Sequence, residues 1–302
     1  MLLSSVIHLK ALEGGALPQY MGAALRAEFL DWIRETDKTQ SDELHDGNEL
    51  RPYTVSDLKG TFHAQQGLNR VESGQSAWFR VTSLTKELTE TLQGSILPNI
   101  KGRVFELGGV KFQVQNVPEA GQHPWAGEAS YESLADQYFK ADLVPSDSIE
   151  MVFASLTTFH TGDVHMPLPV PETVLGSWLT RWNKMSTASL PRAVEELKEA
   201  RLALNRYTLQ TQVVQYKEAT WIGFSGDCRF RVLSKDEFWV RLCNLLADFS
   251  FYCGTGAKTS FGLGQTKTLT ISTSSMQRLP SPSGRGGSRL NHEPSKSGRG
   301  KS

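Results

Sequence analysis

The chain has 302 residues, 39% apolar and 21% charged, ordinary globular usage and enough length for two domains with separate cores. Its formal net charge is zero, so bulk charge names no nucleic-acid partner, and no apolar run reaches the ~18 residues that read as a membrane span. Three cysteines (Cys228, Cys243 and Cys253) form no CxxC pair, which argues against a disulfide framework and a structural zinc site.

The opening MLLSSVIHLKAL has no charged region ahead of its apolar residues. It reads as a first strand, Leu2 to Leu9, rather than a signal peptide, and a cytoplasmic location is expected. Met21, Leu25, Phe29, Trp32 and Ile33 recur at helical spacing and predict a helix from Gln19 to Thr36. Pro52 to Leu58 and Ser76 to Leu84 predict two strands, and the polar segment His63 to Gly74 a loop between them. Thr85 is placed to cap a helix running to Leu97, and Arg103 to Leu107 with Val110 to Val117 predict a hairpin turned at Gly108-Gly109. This is βαββαβ, the ferredoxin-like or RRM-like order.

Pro118 to Ser148 is rich in Gly, Pro, His and Ser and reads as a connection, with a short helix around Tyr131 to Lys140. The order then repeats. A strand at Ser148 to Thr158 precedes a helix at Pro171 to Met185, an added helix in PRAVEELKEARLAL, and a hairpin of Tyr207 to Tyr216 with Thr220 to Val232. Phe238, Leu242, Leu245, Leu246 and Phe249 predict a helix over Asp236 to Phe251, and Phe261 to Ile271 closes the sheet.

The fold class is therefore α+β, tandem ferredoxin-like domains with a C-terminal glycine-rich loop. The expected divisions are residues 1–120, a connection at 121–147, a second domain at 148–272 and a disordered basic tail at 273–302. From Met276 to Ser302 there are six basic residues and one acidic, which leaves residues 1–275 five charges negative. Phosphate binding by the folded body thus needs a local basic groove.

In FYCGTGAKTSFGLGQ, Gly254, Gly256, Gly262 and Gly264 form an array between a helix and a strand, with Lys258 inside it. Glycine permits positive φ and close backbone approach, and successive N–H groups in such turns make an anion-binding concavity. A Walker loop and a Rossmann loop both run from strand to helix, the opposite order. A glycine-rich turn without a ligand is the plain alternative.

YCGTGAKTSFGLGQ, preceded by an amphipathic helix and by WIGFSGDCRFRV, resembles the carboxy-terminal domain of the RAMP superfamily. Within it the chain is most similar to the CRISPR-associated endoribonuclease that cuts precursor CRISPR RNA in its repeats. MVFASLTTFHTGDVHMPLPVPETVLGSWLTRWNKM resembles the start of that family's second domain, departing at Leu156, where relatives commonly have proline. LRAEFLDWIRETDKTQSDELHDGNELRPYTVSDLKG carries the likeness into the first half.

In relatives the histidine after the first helix is catalytic, which by position points to His45, with Arg51 where some relatives have an assisting lysine. Leu30 stands where some have a tyrosine. The resemblance implies RNA contacts from Gly254, Gly256, Lys258, Gly262 and Gly264, with Lys267 added as a basic side chain.

RNA supplies its own nucleophile, the 2′-hydroxyl, so cleavage needs one group to take that proton, one to protonate the leaving 5′-oxygen, and positive charge at the phosphate. Histidine fills either proton-transfer role, and arginine binds the charged transition state. No carboxylate or His/Cys cluster has metal spacing, so no metal and no cofactor is expected.

Competing readings exist for several residues. His45 lies in a polar turn where an exposed histidine without a role is common, and His63 is the alternative catalytic histidine. His160 and His165, five apart, suggest a metal site with Asp163, although the spacing fits neither the HExxH helix nor a finger and hydrogen-bonded surface histidines are the plainer reading. Trp178, Arg181 and Trp182 suit base stacking or core packing, and Arg26 and Arg34 a solvated helix face.

The expected function is metal-independent cleavage of repeat RNA to mature guide RNA. The alternative is a non-catalytic guide-RNA-binding RAMP subunit of an effector complex. The expected partners are precursor RNA and effector proteins, with no membrane.

Overall fold

In the computed structural model, which describes residues 1–46, 50–140, 142, 145–161, 164–186, 190 and 194–269, the strand-helix order is realised twice. The first half runs β1 (Leu2–Ala11), β2 (Gly15–Pro18), α1 (Gly22–Thr36), α2 (Lys38–Asp46), β3 (Tyr53–Val55), β4 (Lys59–Gly60), β5 (His63–Gln65), β6 (Leu68–Val71), β7 (Ser76–Ser83), α3 (Lys86–Thr91), β8 (Val104–Leu107), β9 (Val110–Asn116), β10 (Gly127–Ala129) and α4 (Tyr131–Phe139). The second runs β11 (Ser148–Thr157), β12 (Phe159–Thr161), β13 (Val164–Met166), α5 (Pro171–Met185), β14 (Leu202–Tyr216), β15 (Ala219–Val232), α6 (Glu237–Cys253) and β16 (Thr266–Thr268). Together they make one compact unit, Met1–Leu269; the expected tail lies outside the described residues.

The first sheet is ordered β3-β7-β1-β9-β8, with β10 added to β1 and β4 to β7; the second is β14-β15-β11-β16. Counting only the strands of each βαββαβ unit, both sheets have the order second, third, first, fourth, and every pairing is antiparallel. Each crossover helix returns across one face, as a ferredoxin-like unit requires.

Alternation along β1, β7 and β9 sends Ile7, Phe79 and Phe112 to the face covered by Leu25, Phe29 and Ile33 of α1. In the second half Met151, Phe153 and Phe230 pack under Trp178 and Trp182 of α5 and Leu242, Leu246 and Phe249 of α6. Fully burying each such side chain contributes about 1.5–3 kcal/mol. Pro171 at the first turn of α5 and Asp236, whose carboxylate accepts from the Phe238 N–H at 2.9 Å, fix where those helices start.

Four expectations need correction. The predicted helix at Gln19–Thr36 begins later, at Gly22, where its N-terminus is capped from another element: Asp57 accepts from the Met21 N–H at 2.7 Å. The supposed loop at His63–Gly74 is largely a hairpin, β5–β6, extended by β2, because Gln66 and Gly67 both adopt positive φ (52° and 76°) and close a tight turn. Thr85 occupies the cap position of α3 without a side-chain cap, and α3 passes into a π turn over Leu92–Ile96. PRAVEELKEARLAL contributes a 3-10 turn, Val194–Ala200, rather than an α-helix. Among the described helices none is long and apolar enough to cross a membrane.

Candidate functional site

His45 does not lie in a polar turn. Asp37 ends α1 in extended conformation, and the chain re-enters a helix at Lys38, so that His45 occupies the last turn of α2. Ser41 is fully buried and donates to the Leu30 carbonyl at 3.0 Å, while Leu44 packs into the first core; together they pin α2 to α1. His45 itself is exposed. The Arg51 guanidinium donates to the Leu44 carbonyl, which satisfies an open acceptor at the C-terminal end of α2 and holds the guanidinium at the residue next to His45.

Leu50, next to Arg51, lines an open cleft of about 320 Å³ whose other walls include Phe159, His160, Ser177, Gly256 and Ala257. The cleft therefore brings Leu50 against the glycine loop and α5.

All four array glycines are buried and have positive φ, from 66° to 92°. Their main-chain donors are already engaged. The Gly254 N–H goes to Ser250, Gly262 to Val55 and Gly264 to Leu156 carbonyls, at 2.8–2.9 Å, and Gly256 to Ser177 Oγ at 3.0 Å. An anion-binding concavity made of these N–H groups is thus not what the array provides. A Cβ at Gly256 would fall 2.2 Å from the Thr158 carbonyl oxygen, and one at Gly264 the same distance from that of Thr255. The glycines let the loop press against β11, β3 and α5.

Lys258 is the exposed member, held at φ 59°. Its ammonium lies 5.6 Å from the Phe261 ring centroid, and Arg26 covers the same ring at 4.7 Å. Arg26 is half-buried and donates to the Tyr53 hydroxyl at 3.0 Å, so it is no mere solvated face. Tyr20 donates to the Phe261 carbonyl, and its phenol is pushed far up by burial.

Arg181 is buried and donates to the Gly256 carbonyl at 2.5 Å and to Ser177, and Trp178 donates to Thr255 Oγ1 at 2.8 Å. Trp182 is fully buried, so this trio is packing that anchors the loop rather than a base-stacking surface. Burial lowers the Arg181 pKa, and with its partners fixed it acts as a strut.

The His160 and His165 rings pack 4.8 Å apart on the β12–β13 hairpin, and burial, then His165, then Lys258 hold His160 below the usual histidine range. Asp163, their supposed third ligand, is outside the described residues. Among the described residues no three His, Cys, Asp or Glu side chains converge as a metal site. His63 is exposed on β5, paired in register with Arg70, and is not among the residues lining the cleft.

Lys267 is half-buried on β16, its ammonium 4.8 Å from the Trp125 ring. It shares no neighbour with Lys258 in these ring contacts. Sequence reasoning missed what surrounds Trp125, namely Lys59, Trp78, Arg80 and Gln265. Arg80 sits in SAWFRVTS, a strand buried on both faces, where no alternation distinguishes a pocket from a core.

The family described as CRISPR-associated endoribonuclease Cas6 matches residues 151–266, and the CRISPR Cas6 N-terminal domain matches residues 1–136. A solved Cas6 product complex is 29% identical over 89% of this chain and 100% of its own, with a TM-score of 0.69. Thermus thermophilus Cas6 is 23% identical over 89% and 98% of the two chains, TM-score 0.65. A structure of a Cas6-related gene from Pyrococcus furiosus is 15% identical over 90% and 100%, TM-score 0.57, a likeness of fold. No curated protein matches.

Proposed function

The chain belongs to the family of the CRISPR-associated endoribonuclease Cas6, and from that premise we propose that it cuts precursor CRISPR RNA within its repeats without a metal ion. The observation that carries the reading is that Arg51 donates to the carbonyl of Leu44, the residue before His45 in the last turn of α2, while Leu50 beside Arg51 lines the cleft shared with Gly256 and Ala257.

The 2′-hydroxyl loses its proton and its oxygen attacks the adjacent phosphorus, while the 5′-oxygen departs with a proton. The products are a 2′,3′-cyclic phosphate and a 5′-hydroxyl. His45 transfers one of these protons, and the Arg51 guanidinium faces the non-bridging oxygens as negative charge builds there. The Leu44 carbonyl aims the guanidinium before RNA arrives.

Lys258 and Arg26, both against the Phe261 ring, supply local positive charge on a body whose formal charge is negative. The glycines serve binding indirectly, by shaping the loop that presents Lys258. Lys258→Ala is expected to leave the cut site unchanged and to flatten the salt dependence of RNA affinity by about one counterion, read from titrations at several salt concentrations.

The proposal is tested by incubating the protein with repeat RNA in EDTA. Cleavage should persist, and a single 2′-deoxy nucleotide immediately 5′ of the cut should abolish it while leaving affinity intact. A strict requirement for added magnesium, or unimpaired cutting of the deoxy substrate, would sink the mechanism. Tight binding with no cutting of all-ribose RNA would instead make the chain a guide-RNA-binding subunit.

A further inference from the structure

A second cavity, of about 180 Å³, is lined by Lys59, Trp78, Arg80, Trp125 and Gln265 among others, and it has no part in the cleavage chemistry above. Arg80 is 1% exposed; one of its nitrogens donates to the Phe251 carbonyl and its guanidinium lies 4.9 Å from the Trp125 and 4.8 Å from the Phe251 ring centroid, but Nε and Nη1 have no hydrogen-bond partner. Gln265 is 3% exposed, and both ends of its amide are unpartnered. Its backbone is held firmly, the carbonyl by the Ala154 N–H at 2.7 Å and its own N–H by Ser155 Oγ at 3.0 Å. Lys59 donates to the Ala154 carbonyl at 3.5 Å, and Asp57 is its nearby opposite charge. Among the described residues no carboxylate lines the cavity.

Buried polar groups are rarely left unpaired, and several around one cavity mark a place where a ligand completes them. The unmet groups also say what that ligand is. Arg80 and Lys59 offer donors only, so they require acceptors. The Gln265 oxygen requires a donor, which inorganic phosphate, wholly an acceptor when ionised, does not supply.

Two half-buried indoles line the cavity: Trp125 already carries Arg80 at 4.9 Å and Lys267 at 4.8 Å, and Trp78 adds a second aromatic surface for a ring to pack against. A ring carrying a carbonyl beside an N–H meets every requirement: its N–H donates to Gln265 Oε1, and its carbonyl accepts from Gln265 Nε2 or the cations. Guanine and uracil have that edge. In adenine and cytosine an exocyclic amino group stands where guanine and uracil have that carbonyl, and it would turn N–H groups toward Arg80 and Lys59.

We propose that this cavity takes one unstacked keto-bearing base, guanine or uracil, from single-stranded RNA, so that the chain reads a nucleotide away from the cut. Lys267, whose ammonium lies over Trp125, is placed to meet the phosphate attached to that base. The source of the base rests on the RNA-processing reading, but the binding experiment does not require cleavage.

GMP, UMP, AMP, CMP and inorganic phosphate are titrated separately against the full chain, with binding followed by ligand-observed NMR. GMP and UMP should bind at least about tenfold more tightly than AMP and CMP, as expected for one well-matched base edge, and phosphate should not displace them. Gln265→Met, which removes only unpartnered polar atoms, should keep the wild-type melting temperature or raise it and lose about tenfold or more of GMP affinity. Lys59→Met should weaken GMP and UMP binding in the same direction. Equal binding of all four nucleotides, displacement by phosphate alone, no detectable binding, or unchanged GMP affinity in a folded Gln265→Met protein would each overturn the assignment.

Discussion

A Gly256→Val protein should lose most of its stability before any question of RNA binding arises. The residue sits at φ +76°, where a β-branched side chain is strained, and its Cβ would fall 2.2 Å from the Thr158 carbonyl oxygen. Strain alone costs about 1–3 kcal/mol. Relieving the clash would also pull the Gly256 carbonyl from Arg181, leaving a buried guanidinium short of a partner. The combined loss should exceed about 3 kcal/mol, a large share of the ~5–15 kcal/mol that holds a typical domain. Urea unfolding of wild type and variant gives the comparison. An unchanged midpoint accompanied by lost RNA affinity would return the glycine to the role of a direct phosphate contact.

Much of this architecture was legible because local signals and burial agree. Pro171 opens α5 and Asp236 caps α6, and between those marks the apolar residues keep helical spacing, so both helices lie close to where the pattern puts them. Gly108-Gly109 likewise marked the β8–β9 turn, with both residues at positive φ. Elements that depend on distant partners were not legible. α2 is nearly all polar, KTQSDELHD, and is fixed by the buried Ser41 and Leu44, which no periodicity announces. The β5–β6 turn puts Gln66, not Asn or Asp, into the left-handed region.

The candidate site divides in the same way. Residue type and resemblance pointed to His45 and Arg51, but the hydrogen bond from Arg51 to the carbonyl of Leu44, next to His45, is visible only in the folded chain. The glycines were conspicuous for the right reason, positive φ and close approach, yet what approaches them is this chain's own backbone. Arg80 and Gln265 carried no signal, since an unpartnered buried atom is visible only once its neighbours are known.

His45→Ala should produce the other large effect, on rate rather than stability. His45 is exposed at the end of α2, and Ser41 and Leu44 hold that helix without its imidazole, so truncation should leave the fold intact. A group that moves a proton in the transition state contributes to the barrier and little to ground-state affinity, so the loss should fall on cleavage, by about 10²–10⁴. Arg51→Ala shares this direction but also frees the Leu44 carbonyl, which makes it the less clean variant.

The direct test is single-turnover cleavage of repeat RNA in EDTA by wild type and His45→Ala, with affinity measured on the same preparations. The account predicts a cleavage rate lowered by about 10²–10⁴ at unchanged affinity. A His45→Ala protein that cuts at the wild-type rate would contradict it, and would move the search for the proton-transfer group to another residue, beginning with His63.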